Sequence, residues 1–214
     1  MTSSKKRLLA SLAIFAAFLL WTAALLFVDV QPIGPLGSRV GFASLNRAVH
    51  DLTGVPPALY ALTDWLMLVP FAVCMAFGAL GLCQLIARRS LRRVDRSLLV
   101  LGGFYIAVIA VYLIFERFVV NYRPVLIDGV LEASYPSSTT VLVLCVMPTA
   151  ALQLRARSKN RALVRCVNGL IFAFTAFMVT GRLLSGVHWL TDILGGALIS
   201  ASLVTMVSPF IRVK

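Results

Sequence analysis

Six long stretches of the chain contain at most one charged residue each, and this pattern limits the possible folds more than any other feature. They cover roughly residues 8–28, 65–87, 97–116, 138–154, 162–181 and 189–211. An α-helix needs about 20 mostly apolar residues to cross the hydrocarbon core of a bilayer. With 60% apolar and only 13% charged residues, against about 25% charged in a soluble domain, the 214 residues predict an all-α integral membrane protein. We expect a six-helix transmembrane bundle forming one domain over residues 1–214.

The net charge of +12 has two interpretations, a nucleic-acid partner or a signal for membrane topology. The basic residues lie between the apolar stretches, which favours topology. With the N-terminus inside, the inner ends hold three, five, five and two basic residues in turn, 15 of the 20. Positive residues concentrate on the cytoplasmic side. The sequence therefore predicts cytoplasmic N- and C-termini in a multi-pass protein of the cell membrane, with no nucleic-acid partner.

Two further features bear on the architecture. The longest outer segment, 29–64, contains four prolines and a short helical pattern around 44–52, so we expect a partly helical loop lying on the membrane surface as a cap. The pairs Gly102-Gly103 and Gly195-Gly196 predict surfaces where helices pack closely.

Once topology accounts for the inner basic residues, the remaining polar residues form three outer clusters, at 116–123, 135–140 and 181–192. In the last cluster His188 and Asp192 are four residues apart and so share one helix face. A carboxylate inside an apolar stretch needs a partner or water. Two interpretations stay open: Asp192 orients His188 as a nucleophile or base, or the two form a buried ion pair that only fixes helix packing.

The other two clusters supply candidate anion ligands. Arg123 and Arg182 each lie near the outer end of a predicted span, where a guanidinium can bind phosphate in a bidentate manner or extend to lipid head groups. Ser137 and Ser138 precede the fourth span. They can cap that helix, or the helix N-terminus can bind an anion.

These clusters, in this order, resemble the phosphatidic acid phosphatase type 2 superfamily of membrane lipid phosphatases. The third motif of that family is Ser-Arg, five residues, histidine, three residues and aspartate. The chain has Arg182, His188 and Asp192 at this spacing, with Gly181 in the serine position. The fixed spacing makes this motif fairly specific, and the resemblance covers roughly residues 60–211, the expected core catalytic-like region.

The first two motifs match in part. The first, lysine, six residues and Arg-Pro, is present as Arg123-Pro124, with Glu116 in the lysine position and Arg117 next to it as a possible substitute charge. The second, Pro-Ser-Gly-His, is present as Pro136-Ser137, followed by Ser138 in place of glycine and a threonine in place of histidine.

The resemblance implies that His188 forms a phosphohistidine and that Asp192 orients it. The implied phosphate-binding residues are Arg123, Arg182, Ser137 and Ser138. It also implies no cofactor and no metal. The expected partner is a membrane lipid phosphate or an isoprenyl diphosphate such as the undecaprenyl carrier, hydrolysed at the outer face.

The threonine, Thr139, occupies the position of the family's general acid, whose contribution is about 10²–10⁴-fold. Three explanations stay open. The leaving group is itself good enough, as a phosphate leaving a diphosphate is; or Glu116, Asp128, Glu132 or His50 supplies the proton; or the protein binds or transports lipid phosphate without turnover.

Overall fold

The computed structural model describes residues 3–211, and the all-α prediction is confirmed, with 75% of the chain in helices. Eight α-helices follow one another: α1 Ser3–Phe27, α2 Ala43–Thr53, α3 Pro57–Leu66, α4 Leu68–Arg88, α5 Arg96–Arg117, α6 Ser138–Arg157, α7 Arg161–Leu184 and α8 Leu190–Val207. Between residues 3 and 211 there is no β-strand, only three isolated β-bridges in loops.

Within residues 3–211, six segments are long and apolar enough to cross a membrane, as predicted. The second is longer than expected, because α3 and α4 form an almost continuous span over 57–88, interrupted only at Met67. The outer loop therefore ends at Pro56 rather than at residue 64. Pro57 does not break this span, because it is the first residue of α3, where a missing N–H removes no intrahelical hydrogen bond.

The bundle is built around α6 and α8, in which half of the apolar stretch is buried. Helix α1 packs along α8, where the buried hydroxyl of Ser11 donates to the carbonyl of Ser202 at 2.9 Å. The outward faces of the peripheral helices carry large exposed apolar side chains, such as Met75 and Phe172. These faces are suited to contact with lipid tails.

The two glycine pairs behave differently. A Cβ on Gly195 would collide with the ring of Tyr135, and one on Gly196 would lie 3.1 Å from Thr140, so this pair does allow close packing as predicted. The expectation was wrong for Gly102-Gly103, where a Cβ would meet nothing within 4 Å. Open space, not a neighbouring helix, lies against that pair.

The outer segment forms a cap that is held in place by specific contacts. Asn46 of α2 is fully buried. Its side-chain NH₂ donates to the hydroxyl of Thr191 at 2.9 Å, and its side-chain oxygen accepts from the backbone amide of Thr191 at 3.3 Å. The helix predicted around 44–52 is therefore present as α2. Hydrogen bonds attach it to the first turn of α8.

A polar network ties three helices together at the opposite end of the bundle. Asp95, just before α5, accepts hydrogen bonds from Gln84, from Arg88 at 3.0 Å and from Arg157 at 3.1 Å. The Gln84 bond, opposed by partial burial and reinforced by the two guanidinium groups, lowers the pKa of Asp95 to about 2. The ends of α4, α5 and α6 are thus fixed on that side.

Candidate functional site

The loop between α5 and α6 folds as a small hairpin with a tight turn. Asp128 and Gly129 both have positive φ values, 49° and 78°, and Ile127 and Val130 exchange backbone hydrogen bonds at 3.1 and 2.8 Å. An Asp-Gly pair is favoured in a two-residue hairpin turn because both positions need positive φ. The turn sets the register of the whole loop.

That register brings polar residues from the two sides of the loop together. The amide of Arg123 donates to the carbonyl of Glu132 at 3.0 Å, and the amide of Ser134 donates to the carbonyl of Asn121 at 2.9 Å. Asn121 and Ser134 are nearly inaccessible to solvent. The hairpin therefore presents Arg123, Asn121 and Ser134 at the end of the bundle where α8 begins.

Ser134 lies between the two residues of the third motif. Its hydroxyl donates to Oδ2 of Asp192 through a short hydrogen bond and lies 3.1 Å from Nδ1 of His188. The direct distance between Nδ1 and Oδ2 is 3.8 Å, too long for a hydrogen bond. Asp192 also accepts from the amide of Trp189 at 2.9 Å and from the side chain of Asn121 at 3.3 Å.

This arrangement fixes the tautomer of His188. A serine hydroxyl has one proton, and here that proton goes to Asp192. Ser134 can then only accept from His188, so Nδ1 carries the ring proton and Nε2 keeps a free lone pair. Nε2 is buried and, over the described part of the chain, has no hydrogen-bond partner.

Burial is the main cause that lowers the pKa of His188 well below its ordinary value, and the positive charges of Arg123 and Arg182 lower that pKa further. The imidazole is therefore neutral at physiological pH. Arg123 also lines the same cavity as His188, although 65 positions separate the two residues in the sequence. Loops after α5 and α7 meet at the N-terminus of α8.

A cavity of about 830 Å³ opens in front of this group. Its polar wall includes Arg123, Glu116, Glu132 and His188, and its other walls are apolar side chains of α4, α5 and α6. Arg123 forms an ion pair with Glu132, with Nε 3.0 Å from Oε2, and its buried Nη1 atom makes no hydrogen bond within residues 3–211. The unused donor on Nη1 is suited to an anion.

Arg182 does not line this cavity and is buried against α3. It is 2% exposed, its guanidinium lies over the ring of Tyr60 at 5.2 Å, and Nη1 lies 3.4 Å from the hydroxyl of Thr63 and 3.7 Å from Asp64. Arg182 is therefore held by α3, and its charge acts on His188.

Ser137, Ser138 and Thr139 all lie at the start of α6. Ser137 is fully buried and caps α6, with its hydroxyl accepting from Thr140 and its amide donating to the carbonyl of Asp192 at 3.1 Å. Ser138 lines the cavity, and its amide is in the first helical turn, where no intrahelical acceptor exists. Thr139 is buried and donates to the sulfur of Met67 at 2.8 Å.

Of the charged side chains around the site, Arg117 is exposed and does not line the cavity. Glu116 and Glu132 both line it, whereas Asp128 and His50 do not. His50 lies against the ring of Trp189, with 5.5 Å between ring centres. The candidate proton donors within the cavity are therefore the two glutamates.

Sequence reasoning missed Ser134 and gave Asn121 no role. No motif marks either residue, because their positions depend on the hairpin register. The available signal was the Asp128-Gly129 pair, which predicts the turn and hence which residues face each other.

Comparison with known proteins agrees with the resemblance. Residues 118–214 match the family model described as the PAP2 superfamily. The chain is also similar to a crystal structure of a transmembrane PAP2-type phosphatidylglycerolphosphate phosphatase from Bacillus subtilis, with a TM-score of 0.65 and 18% identity over 94% of each chain. No curated protein sequence gives a significant match. The predicted resemblance is confirmed: residues 118–214 match the PAP2 superfamily model, and 94% of the chain shares the fold of that transmembrane phosphatase structure.

Proposed function

We propose that the protein is a membrane lipid phosphatase in which His188 is the nucleophile. The observation that carries this proposal is the free Nε2 atom of a neutral His188 at a cavity that also exposes Arg123. The family match and the fold similarity support a phosphatase. The apolar walls of the same cavity favour a substrate with a phosphate head and a hydrocarbon tail.

The first chemical step is in-line attack. The Nε2 lone pair of His188 forms a bond to the terminal phosphorus while the bond from phosphorus to the leaving oxygen breaks. The new positive charge on the ring is stabilised by the hydrogen bond from Nδ1–H to the hydroxyl of Ser134. That hydroxyl in turn donates to the carboxylate of Asp192. Arg123 and the free amides at the start of α6 stabilise the equatorial oxygens, and Arg182 adds positive charge from behind.

The second step returns the enzyme to its starting state. Water attacks the phosphohistidine, the phosphorus–nitrogen bond breaks and its electrons return to Nε2. The proton of the water is accepted by one of the two carboxylates in the cavity, Glu116 or Glu132. The products are inorganic phosphate and the lipid that has lost its terminal phosphate.

We propose an isoprenyl diphosphate as the preferred substrate, with phospholipid monoesters second. The hydroxyl of Thr139 is engaged with Met67 and cannot replace the family's acidic histidine near neutral pH. A diphosphate has a phosphate leaving group that departs without a proton, whereas an alkoxide needs one. This preference and the intermediate rest on chemistry and on the resemblance.

We also propose that the site faces the outside of the cell, with both termini cytoplasmic, because the distribution of basic residues favours that orientation. Residues 60–211 contain every side chain of the proposed machinery and form its catalytic core. Helix α1 adds Thr22, which lies 2.7 Å from the hydroxyl of Tyr135 next to the site.

The test is phosphate release by purified protein supplied with undecaprenyl diphosphate and with phosphatidate. His188→Ala is expected to abolish release, and His50→Ala is the matched control, because the chain has two histidines and His50 does not line the cavity. Turnover by His188→Ala at the wild-type rate would refute the nucleophile assignment.

One observation favours a second function. Since Thr139 replaces the acid and is turned toward Met67, the site could hold a lipid phosphate without hydrolysing it. Wild-type protein that binds undecaprenyl phosphate but releases no phosphate from any tested lipid would support this binding or transport function.

A further inference from the structure

A second cavity, of about 450 Å³, lies between α4 and α5. Its walls are apolar, with Cys74 and Leu85 at the ends of its α4 wall and Leu98 and Ile106 on α5. The site cavity already uses Phe71 on α4, one turn before Cys74. On α5 it uses residues 108–116, directly after the second cavity ends. The two cavities therefore follow one another along the same pair of helices.

Four glycines line this second cavity. Gly78 and Gly81 on α4 face it, as do Gly102 and Gly103 on α5, and a Cβ added to any of the four would meet nothing within 4 Å. Glycine inside a helix costs about 1 kcal/mol relative to alanine. Four such residues line one space without a protein packing partner, which leaves room there for an apolar chain.

The combined length of the two cavities along α4, here called the crevice, restricts what can occupy them. From Phe71 to Leu85 the path along α4 is about 21 Å, at about 1.5 Å per residue. One leaflet contributes about 15 Å of hydrocarbon, half of a core about 30 Å thick. A chain whose phosphate lies at His188 therefore passes the bilayer midplane before it reaches the end of the crevice. An ordinary acyl chain of an outer-leaflet lipid ends near the midplane.

We propose that the glycine-lined crevice between α4 and α5 binds the distal part of a single long prenyl chain and so selects polyprenyl substrates over shorter lipids. This inference rests on the proposed function, because it requires the phosphate end to lie at His188. The position of the second cavity directly after the site cavity, along the same two helices, argues for the tail of the substrate itself as the occupant. The crevice affects the binding of long chains and leaves the chemical step unchanged.

The first test fills the crevice. Gly78→Leu and Gly102→Leu place a side chain in the open space, and Gly169→Leu is the matched control, because Gly169 of α7 also has open space around its Cβ but does not line the crevice. In lipid nanodiscs we expect kcat/KM for undecaprenyl diphosphate to fall by about tenfold or more. Turnover of farnesyl diphosphate and both activities of Gly169→Leu should stay unchanged. Equal effects on both chain lengths, or no effect, would overturn the proposal.

The second test does not depend on turnover. Cys74 lines the crevice, whereas Cys166 is exposed on α7. Undecaprenyl phosphate is expected to slow maleimide labelling of Cys74 several-fold, farnesyl phosphate is not, and labelling of Cys166 should not change with either. Equal labelling of Cys74 with and without the long chain would contradict the crevice even in an active phosphatase. Protection of Cys74 in a protein that hydrolyses nothing would support the crevice while the proposed catalysis fails.

Discussion

Replacing Ser134 with alanine tests the least expected feature of the site. The hydroxyl bridges Nδ1 of His188 and Oδ2 of Asp192, which lie 3.8 Å apart. Without the bridge the ring loses the contact that places its proton on Nδ1, and the tautomer with a protonated Nε2 cannot attack phosphorus. The charge that forms on the ring also loses its connection to the carboxylate.

The size of the effect follows from the kind of bond removed. A hydrogen bond to a charged group contributes about 1.5–3 kcal/mol, and each 1.36 kcal/mol of barrier changes the rate about tenfold. We therefore expect kcat of Ser134→Ala to fall by roughly 10- to 100-fold, with KM nearly unchanged. The loss should be smaller than for His188→Ala, because Asp192 can still move toward the ring.

The assay is steady-state phosphate release together with thermal unfolding. Ser202→Ala is the control, since it also removes a buried serine hydroxyl that donates a hydrogen bond, at 3.0 Å to Ser11, but far from the site. We expect Ser202→Ala to lower stability without lowering kcat, and Ser134→Thr to recover part of the activity. A wild-type kcat for Ser134→Ala, or an equal fall for Ser202→Ala, would refute the relay.

Thr139→His should raise turnover of phosphatidate more than that of a diphosphate, because only the alkoxide needs a proton; equal gains would contradict the leaving-group argument. Since the protonated ring of His188 is inactive and positive charge lowers its pKa, Arg123→Met should shift the acid limb of the kcat/KM profile to higher pH, and an unmoved limb would contradict the electrostatic contact. Gly195→Ala should lower the free energy of unfolding by about 1–3 kcal/mol through overpacking, whereas Gly102→Ala, facing open space, should not; the two melting temperatures decide this.

The membrane fold could be predicted from run length alone, because a bilayer requires about 20 apolar residues for each helix. The second span begins at Pro57, earlier than the predicted residue 65, and the reason is local. Pro57 and Asp64 both look like loop residues in the sequence, yet one starts α3 and the other remains half-exposed within it. The start of a helix at the membrane surface is not marked by hydrophobicity.

The site was predictable as a set of residues but not as a geometry. The spacing of His188 and Asp192 placed them on one helix face, but it did not show that Ser134 stands between them. That contact depends on the hairpin register and on how the loop meets α8. Likewise, two identical glycine pairs differ because one faces Tyr135 and the other faces open space, a distinction that sequence alone does not carry.

Trapping the covalent intermediate tests the central claim most directly. Wild-type protein is mixed with a diphosphate whose terminal phosphate is radiolabelled, denatured in alkali within one turnover, and digested for mass spectrometry. We predict an alkali-stable, acid-labile label on the peptide that contains His188, reduced in amount in Ser134→Ala and absent from His188→Ala. Turnover with no covalent label, or with the label on another residue, would contradict it.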